Sequence, residues 1–253
     1  MLLILSPAKT FQQEVKLLNT PTPWLFKKQT TQLLQQLKTY DAAQFKTMMK
    51  LSETLSVKTY EMYQQFDAQP KHQALFAFSG EVYKALDAST LSENALVFAK
   101  PRLMILSGLY GMLKPDTLIY PYRLEMGLTA KFESQTLVKL WKPILTEQLS
   151  QQLSVHEGEK SLLNLASTEY EKAVDLAKLS KTYRVVTVAF KEQQGDTVKV
   201  VGMYAKKARG RMLRYILTHE LDQIDEIKQF NEDGYLFNEV LSTELVYVFT
   251  RQK

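Results

Sequence analysis

Met1-Leu2-Leu3-Ile4-Leu5-Ser6-Pro7-Ala8-Lys9-Thr10 is the stretch that decides the fold. An unbroken apolar run stopped by Ser-Pro reads as a buried β-strand, Leu2–Ser6, that delivers Lys9 just past its end. The run is too short for a signal peptide and has no basic residues before it. Working outward, further strands are expected at Ala74–Phe78, Arg102–Leu106 and Leu162–Leu165. Alternation marks Tyr183–Lys191 and Val198–Tyr204 as strands joined by a Gln194-Gly195-Asp196 turn, with two more near Tyr235–Phe237 and Glu244–Thr250.

Helical patterns lie between these strands. Thr22-Pro23 reads as a cap and first helical residue opening a helix to about Lys38. Asp41 caps a second helix through Lys50, and a third runs from Glu53 to Phe66. Further helices are expected around Glu81–Leu86, Leu91–Phe98, Glu133–Leu153 and Asp222–Phe230. Thr168-Glu169-Tyr170-Glu171 matches a capping box that opens another. No repeat, low-complexity tract or linker interrupts the chain. The expected fold is α/β (mixed α+β): one compact domain over residues 1–253, a mixed sheet flanked by helices, and a helical N-terminal third.

Composition narrows the class. With 253 residues, 45% hydrophobic, the chain is long enough to bury a large core. No apolar run approaches the ~20 residues that span a bilayer. Zero cysteines exclude disulfides and thiolate metal sites, and fit a cytosolic protein. His72, His156 and His219 are dispersed without metal spacing, so no metal and no cofactor are expected.

The formal net charge of +5 is concentrated. Between Thr197 and His219 stand Lys199, Lys206, Lys207, Arg209, Arg211 and Arg214 with no acid among them, enough to carry the whole surplus. At about 100° per residue Lys207, Arg211 and Arg214 form one stripe, and Ala205, Ala208, Met212, Tyr215 and Ile216 form the opposite face. Arg209 phases toward the apolar edge, where a carboxylate partner is expected. Gly210 leaves room for another backbone or a phosphate. So long a run without acids points to a phosphate-bearing partner, against the plainer alternative of a solvated face. Residues Glu220 to Glu244 then contain eight acids and only Lys228 as a base, which suggests that this segment folds against the basic helix or screens it.

Residues 107–127 form a long irregular stretch whose aromatic content argues against disorder. Lys114 and Arg123 are its phosphate-competent groups, Glu125 is placed to orient Arg123, and Tyr110, Tyr120 and Tyr122 are candidates for stacking on bases. A rigid structural loop is the alternative. Gly108-x-x-Gly111-x-x-Lys114 is not a P-loop, because no contiguous Gly-Lys-Ser/Thr follows. Lys9 and the helix start at Ser167-Thr168 add donors at strand ends.

Taken in order, Ser6-Pro7-Ala8-Lys9-Thr10, Ser107-Gly108-Leu109-Tyr110-Gly111, Pro121-Tyr122-Arg123-Leu124-Glu125-Met126, Asn164-Leu165-Ala166-Ser167 with Glu169-Tyr170, Ala205-Lys206-Lys207-Ala208-Arg209-Gly210, and Phe230 with Gly234-Tyr235 resemble the YaaA family, the bacterial peroxide stress resistance group. The resemblance covers essentially the whole chain. It implies a cytoplasmic protein of the hydrogen peroxide response that limits iron-driven oxidative damage. It also implies a basic cleft that binds duplex or distorted DNA, and a helix-hairpin-helix-like element whose counterpart would lie between Asp41 and Phe66. Two places depart from the family pattern. Ser79-Gly80-Glu81 replaces an Asn-Gly-Asp-like run, and Lys114-Pro115-Asp116-Thr117 replaces Arg-Pro-Leu-Asp, moving the carboxylate by one position.

The expected function is therefore DNA binding without turnover, by a monomer, through Lys206, Lys207, Arg211, Arg214, Arg123, Lys9, Lys114 and Tyr122. The alternative is an enzyme acting on a nucleotide, nucleic acid or other phosphate-bearing substrate in the same cleft, with Glu125 or Glu169 as acid or base. Direct iron sequestration is a third and weaker reading, because three scattered histidines make a poor iron site.

Overall fold

In the computed structural model, which describes residues 1–12, 21–195 and 197–252, one mixed sheet organises the chain. Its strands are β1 (Leu2–Leu5), β3 (Leu103–Ser107), β4 (Gly111–Leu113), β6 (Ser161–Asn164), β7 (Arg184–Gln194), β8 (Thr197–Lys199), β9 (Leu236–Phe237) and β10 (Val246–Gln252). The order is β4-β3-β1-β6-β7-β10-β9, with β8 pairing on β7. A minor two-stranded sheet pairs β2 (His72–Gln73) with β5 (Leu118–Ile119).

Strands β3, β1, β6, β7 and β10 are parallel, and β4, β8 and β9 are antiparallel additions. All four residues of β1 are buried, as expected for a central parallel strand covered on both faces. The chain moves from β1 to β3 on one side and later from β6 through β7 to β10 on the other. The sheet therefore reverses direction between β1 and β6, and the crevice beyond their carboxyl ends is the place where open α/β sheets bind ligands.

The helices are α1 (Lys27–Leu37), α2 (Ala42–Met49), α3 (Glu53–Gln64), α4 (Ala74–Ala77), α5 (Glu81–Leu86), α6 (Glu93–Arg102), α7 (Leu137–Val155), α8 (Thr168–Glu171), α9 (Leu176–Leu179) and α10 (Gly202–Thr218). Asp41 caps α2 in a full capping box with Gln44, and Ser52, Ser92 and Thr136 cap α3, α6 and α7. The connection between α2 and α3 turns on Lys50, a non-glycine residue at φ 53°, so the expected helical pair exists.

Several local expectations are corrected. Thr22 does not cap α1, which starts at Lys27; its hydroxyl donates instead to Asp116 Oδ2 at 3.0 Å. Ala74–Phe78 forms a helical turn rather than a strand, with the Ala74 and Leu75 amides bonded to the carbonyls of Thr117 and Pro115. The capping box at Thr168 is absent, because Ser167 occupies the cap position and Glu171 turns away to accept from Asn164 Nδ2 at 2.8 Å. The strand expected through Tyr204 stops at Lys199, and Tyr204 already belongs to α10. The acidic helix is a 3-10 segment, Ile224–Gln229. Asp196 of the expected hairpin turn lies outside the described residues.

Candidate functional site

Gly210 sets the position of the basic helix. A Cβ there would stand 2.1 Å from the Val82 carbonyl oxygen, so the glycine lets the backbones of α10 and α5 touch. One turn later Arg214 donates to the carbonyls of Leu86 and Asp87 at 2.9 and 3.0 Å. The pairings of 210 with 82 and 214 with 86 mean that the two helices run in the same direction. The same register carries Lys206, a turn earlier, past the start of α5. There Gly80 packs on Ala8, the residue before Lys9, with only 2.9 Å for a Cβ. Lys206 and Lys9 are both exposed at this carboxyl edge of the sheet.

The second wall is the loop 107–127, which is rigid. Gly108 fits under the Leu124 carbonyl, where a Cβ would be 2.2 Å from the oxygen, and its own carbonyl accepts from Trp141 Nε1 at 2.8 Å. Ser107 Oγ lies 2.7 Å from the Tyr122 hydroxyl and accepts from the Tyr110 amide at 3.0 Å. Tyr63 of α3 donates to the Arg123 carbonyl at 2.8 Å, so the helical pair braces this loop. Burial pushes the phenols of Tyr63, Tyr110 and Tyr122 up, so all three stay neutral donors. Beyond Tyr122, Glu125 takes both Lys9 and Arg123 at 3.4 Å, and its Oε2 is buried with no hydrogen-bond partner. The Glu169 carboxylate accepts from the Gly127 amide at 3.0 Å.

At the reversal point itself, Ser6 Oγ donates to Ser167 Oγ at 3.2 Å and accepts from the Ser167 amide at 2.8 Å. Tyr83 donates to the Ser6 carbonyl at 2.9 Å. Asn164, fully buried at the end of β6, holds Glu171 and Thr187 and accepts from the Ala166 amide.

The sequence-derived residues are therefore sorted by position. Lys9 and Arg123 meet on Glu125, and the register of α10 on α5 directs Lys206 toward the same carboxyl edge. Tyr122 lies beneath them as a core residue, 5% exposed. Tyr110 and Tyr120 are also buried, so none of the three rings expected to stack on bases is offered to solvent. Lys114 follows β4, antiparallel to β3, and so stands at the opposite edge of the sheet, beside Arg102 and His156. The shifted carboxylate Asp116 pairs with Lys100 at 2.7 Å, as a brace away from the cleft.

The stripe Lys207, Arg211, Arg214 is not free. Lys207 pairs with Asp233 at 3.2 Å, Arg211 lies 3.9 Å from both Glu232 and Asp233, and Arg214 holds the end of α5. The acidic segment folds against the basic helix, as its charge suggested. Asp233 takes φ 52°, and its carbonyl accepts from Arg251, which pairs with the buried Glu192 at 2.8 Å. Gly210 has proved to admit a backbone. Arg209, expected to find a carboxylate, has none within 4.0 Å. Helical phase marked Arg209 for the apolar edge, but neither its missing acceptor nor the Ser6–Ser167 pair was legible, since both depend on long-range neighbours. Among the described residues no cluster of His, Asp and Glu could hold a metal ion, and no helix is long and apolar enough to cross a membrane.

The family model described as peroxide stress protein YaaA matches residues 1–241. The chain belongs to the YaaA family. A protein from Francisella philomiragia carrying only the name UPF0246 protein is 38% identical over 257 residues, covering 99% of this chain and all of the relative. Its namesake from Francisella tularensis subsp. novicida matches equally well over the same span. The YaaA model ends before β10.

Proposed function

We propose that this member of the peroxide stress family acts by binding DNA, duplex or partly unpaired, as a cytoplasmic monomer that limits iron-driven oxidative damage. The observation that carries the reading is the register of α10 on α5. That register directs Lys206, exposed and outside any ion pair, toward the sheet edge where Lys9 and Arg123 meet on Glu125, which supports a shared cleft. These groups suit sugar-phosphate contacts, and the burial of Tyr110, Tyr120 and Tyr122 favours backbone recognition over base stacking by this loop. Each phosphate contacted should contribute about −0.9 to the slope of log affinity against log salt for duplex DNA. Changing Lys9 and Lys206 together to Ala should weaken binding to duplex and bubble DNA alike and flatten that slope by about 2. Unchanged affinity and slope in that double variant would remove the reading.

A second reading, an enzyme acting on a phosphate-bearing substrate, is favoured by one observation. Glu125 meets Lys9 and Arg123 with one oxygen and keeps the other buried without a partner, an arrangement suited to general acid–base work. A turnover assay on phosphorylated nucleotides with wild type and Glu125→Gln separates the two.

A further inference from the structure

The chain has seven arginines, and Arg209 alone has neither an ion pair nor a hydrogen bond. Arg102, Arg123, Arg184 and Arg251 each hold a carboxylate, Arg211 lies near two, and Arg214 holds carbonyls. Arg209 sits beside Gly210, where α10 presses on α5, and its Nε is sealed from solvent without an acceptor. Burial pulls its pKa down, and the Glu171 charge offsets this only in part. Glu171 itself is turned to Asn164. A buried guanidinium N–H without an acceptor is costly, and an anion reaching it would remove that cost.

The same corner holds the Ser6–Ser167 hydroxyl pair. Ser167 Oγ accepts from Ser6 and has its own proton left to donate. Helix α5 links the two features, because Val82 touches Gly210 while Tyr83 donates to the Ser6 carbonyl. The serine pair stands at the sheet reversal between β1 and β6, and Arg209 feels the charge of Glu171, whose carboxylate is held by Asn164 at the end of β6. We propose that Arg209 and the Ser6–Ser167 pair form a receptor for a single phosphate group, carried by a phosphomonoester. A planar guanidinium and a serine hydroxyl are matched to phosphate oxygens. The inference rests on the reading of the cleft as a phosphate-binding site, but assigns a discrete subsite apart from the exposed Lys9 and Lys206.

The test uses the full chain, with thermal midpoint and calorimetric titration as readouts. The probes are inorganic phosphate, a nucleoside 5′-monophosphate, and one oligonucleotide with either a 5′-phosphate or a 5′-hydroxyl. Wild type should be stabilised by at least one phosphate-bearing probe. Arg209→Met should lose that response, with affinity reduced at least about tenfold, while its midpoint without ligand stays level or rises. Ser167→Ala should weaken the same response several-fold. A response to inorganic phosphate or the monophosphate supports a small phosphomonoester; a response confined to the 5′-phosphorylated strand supports a DNA end. No response from any probe overturns the proposal. So does an unaltered response in Arg209→Met, or a ligand-free midpoint below wild type, which would make Arg209 a structural cation. The Lys9/Lys206 double alanine variant reports separately on general DNA binding, so either reading can fail alone.

Discussion

Gly210→Ala tests the contact on which the whole cleft depends. The new Cβ would lie 2.1 Å from the Val82 carbonyl oxygen and 2.9 Å from the Ala85 Cβ. The obstacle is backbone, so α10 and α5 must separate by about 1 Å to reach ordinary carbon–oxygen contact. Overpacking of this kind costs ~1–3 kcal/mol, and an obstacle that cannot rotate away puts the change at the upper end. Alanine's better helix propensity returns about 1 kcal/mol. The net loss is about 2 kcal/mol, a fall of roughly 4–8 °C in Tm for a chain of this size. Gly202, on the same helix with nothing within 4 Å, is the internal control, and Gly202→Ala should be neutral or slightly stabilising. Urea denaturation of both variants, with DNA titration alongside, measures the effect. Because the separation moves Lys206 away from Lys9, Gly210→Ala should also weaken DNA binding. A Gly210→Ala protein as stable as wild type would refute the parallel docking of the two helices.

Two further outcomes follow from the charge pairs. Neutralising Glu232 and Asp233 together, as E232Q/D233N, should release Lys207 and Arg211. Stability should change by less than about 1 kcal/mol, while the salt slope of DNA binding should steepen by up to about 2; an unchanged slope would show that the stripe never reaches phosphate. Asp225 is held below the usual carboxylate range by hydrogen bonds from Arg184, Lys228 and Tyr247. Its contribution is therefore complete above the unfolded value near ~3.9 and lost as pH falls through the lower folded value. Asp225→Asn should flatten the acid limb of the stability curve below about pH 4, by less than ~1 kcal/mol because the group is half exposed. Superimposable acid limbs for the two proteins would contradict this.

Elements whose signal is local were readable from the sequence. The apolar run of β1, the Asp41 cap and the alternation of β7 each express a rule acting within a few residues, and the structure contains all three. The boundaries that moved were decided by distant partners. Thr22 gave its hydroxyl to Asp116, Glu171 gave its carboxylate to Asn164, and Leu75 bonded across to Pro115. The tyrosines of residues 107–127 show the same limit. Their amphipathic side chains suit either a wet stacking platform or a buried hydrogen-bonded core, and only the proximity of Ser107, Trp141 and Tyr63 selects the core.

The basic helix shows why charge counted along a sequence overstates charge available to a ligand. Six cations without an acid pointed to a phosphate-bearing partner, yet the fold uses them in four ways. Arg214 closes the end of α5, Lys207 and Arg211 are met by Glu232 and Asp233, Lys199 and Lys206 remain exposed, and Arg209 is half-buried with no acceptor for its Nε. Exposed ion pairs are weak, so the Glu232–Asp233 contacts leave Lys207 and Arg211 available at a cost below about 1 kcal/mol each. The half-buried Arg209 is different, because its Nε is sealed from water and that part of its desolvation has already been incurred in the free protein. An anion reaching Arg209 therefore gains an interaction strengthened by the low-dielectric surroundings, whereas an anion reaching Lys206 must compete with water and salt. The two proposed contacts on α10 should therefore differ in salt sensitivity, steep along its exposed turn and shallow at Arg209, and the ionic-strength dependence of each probe tests this.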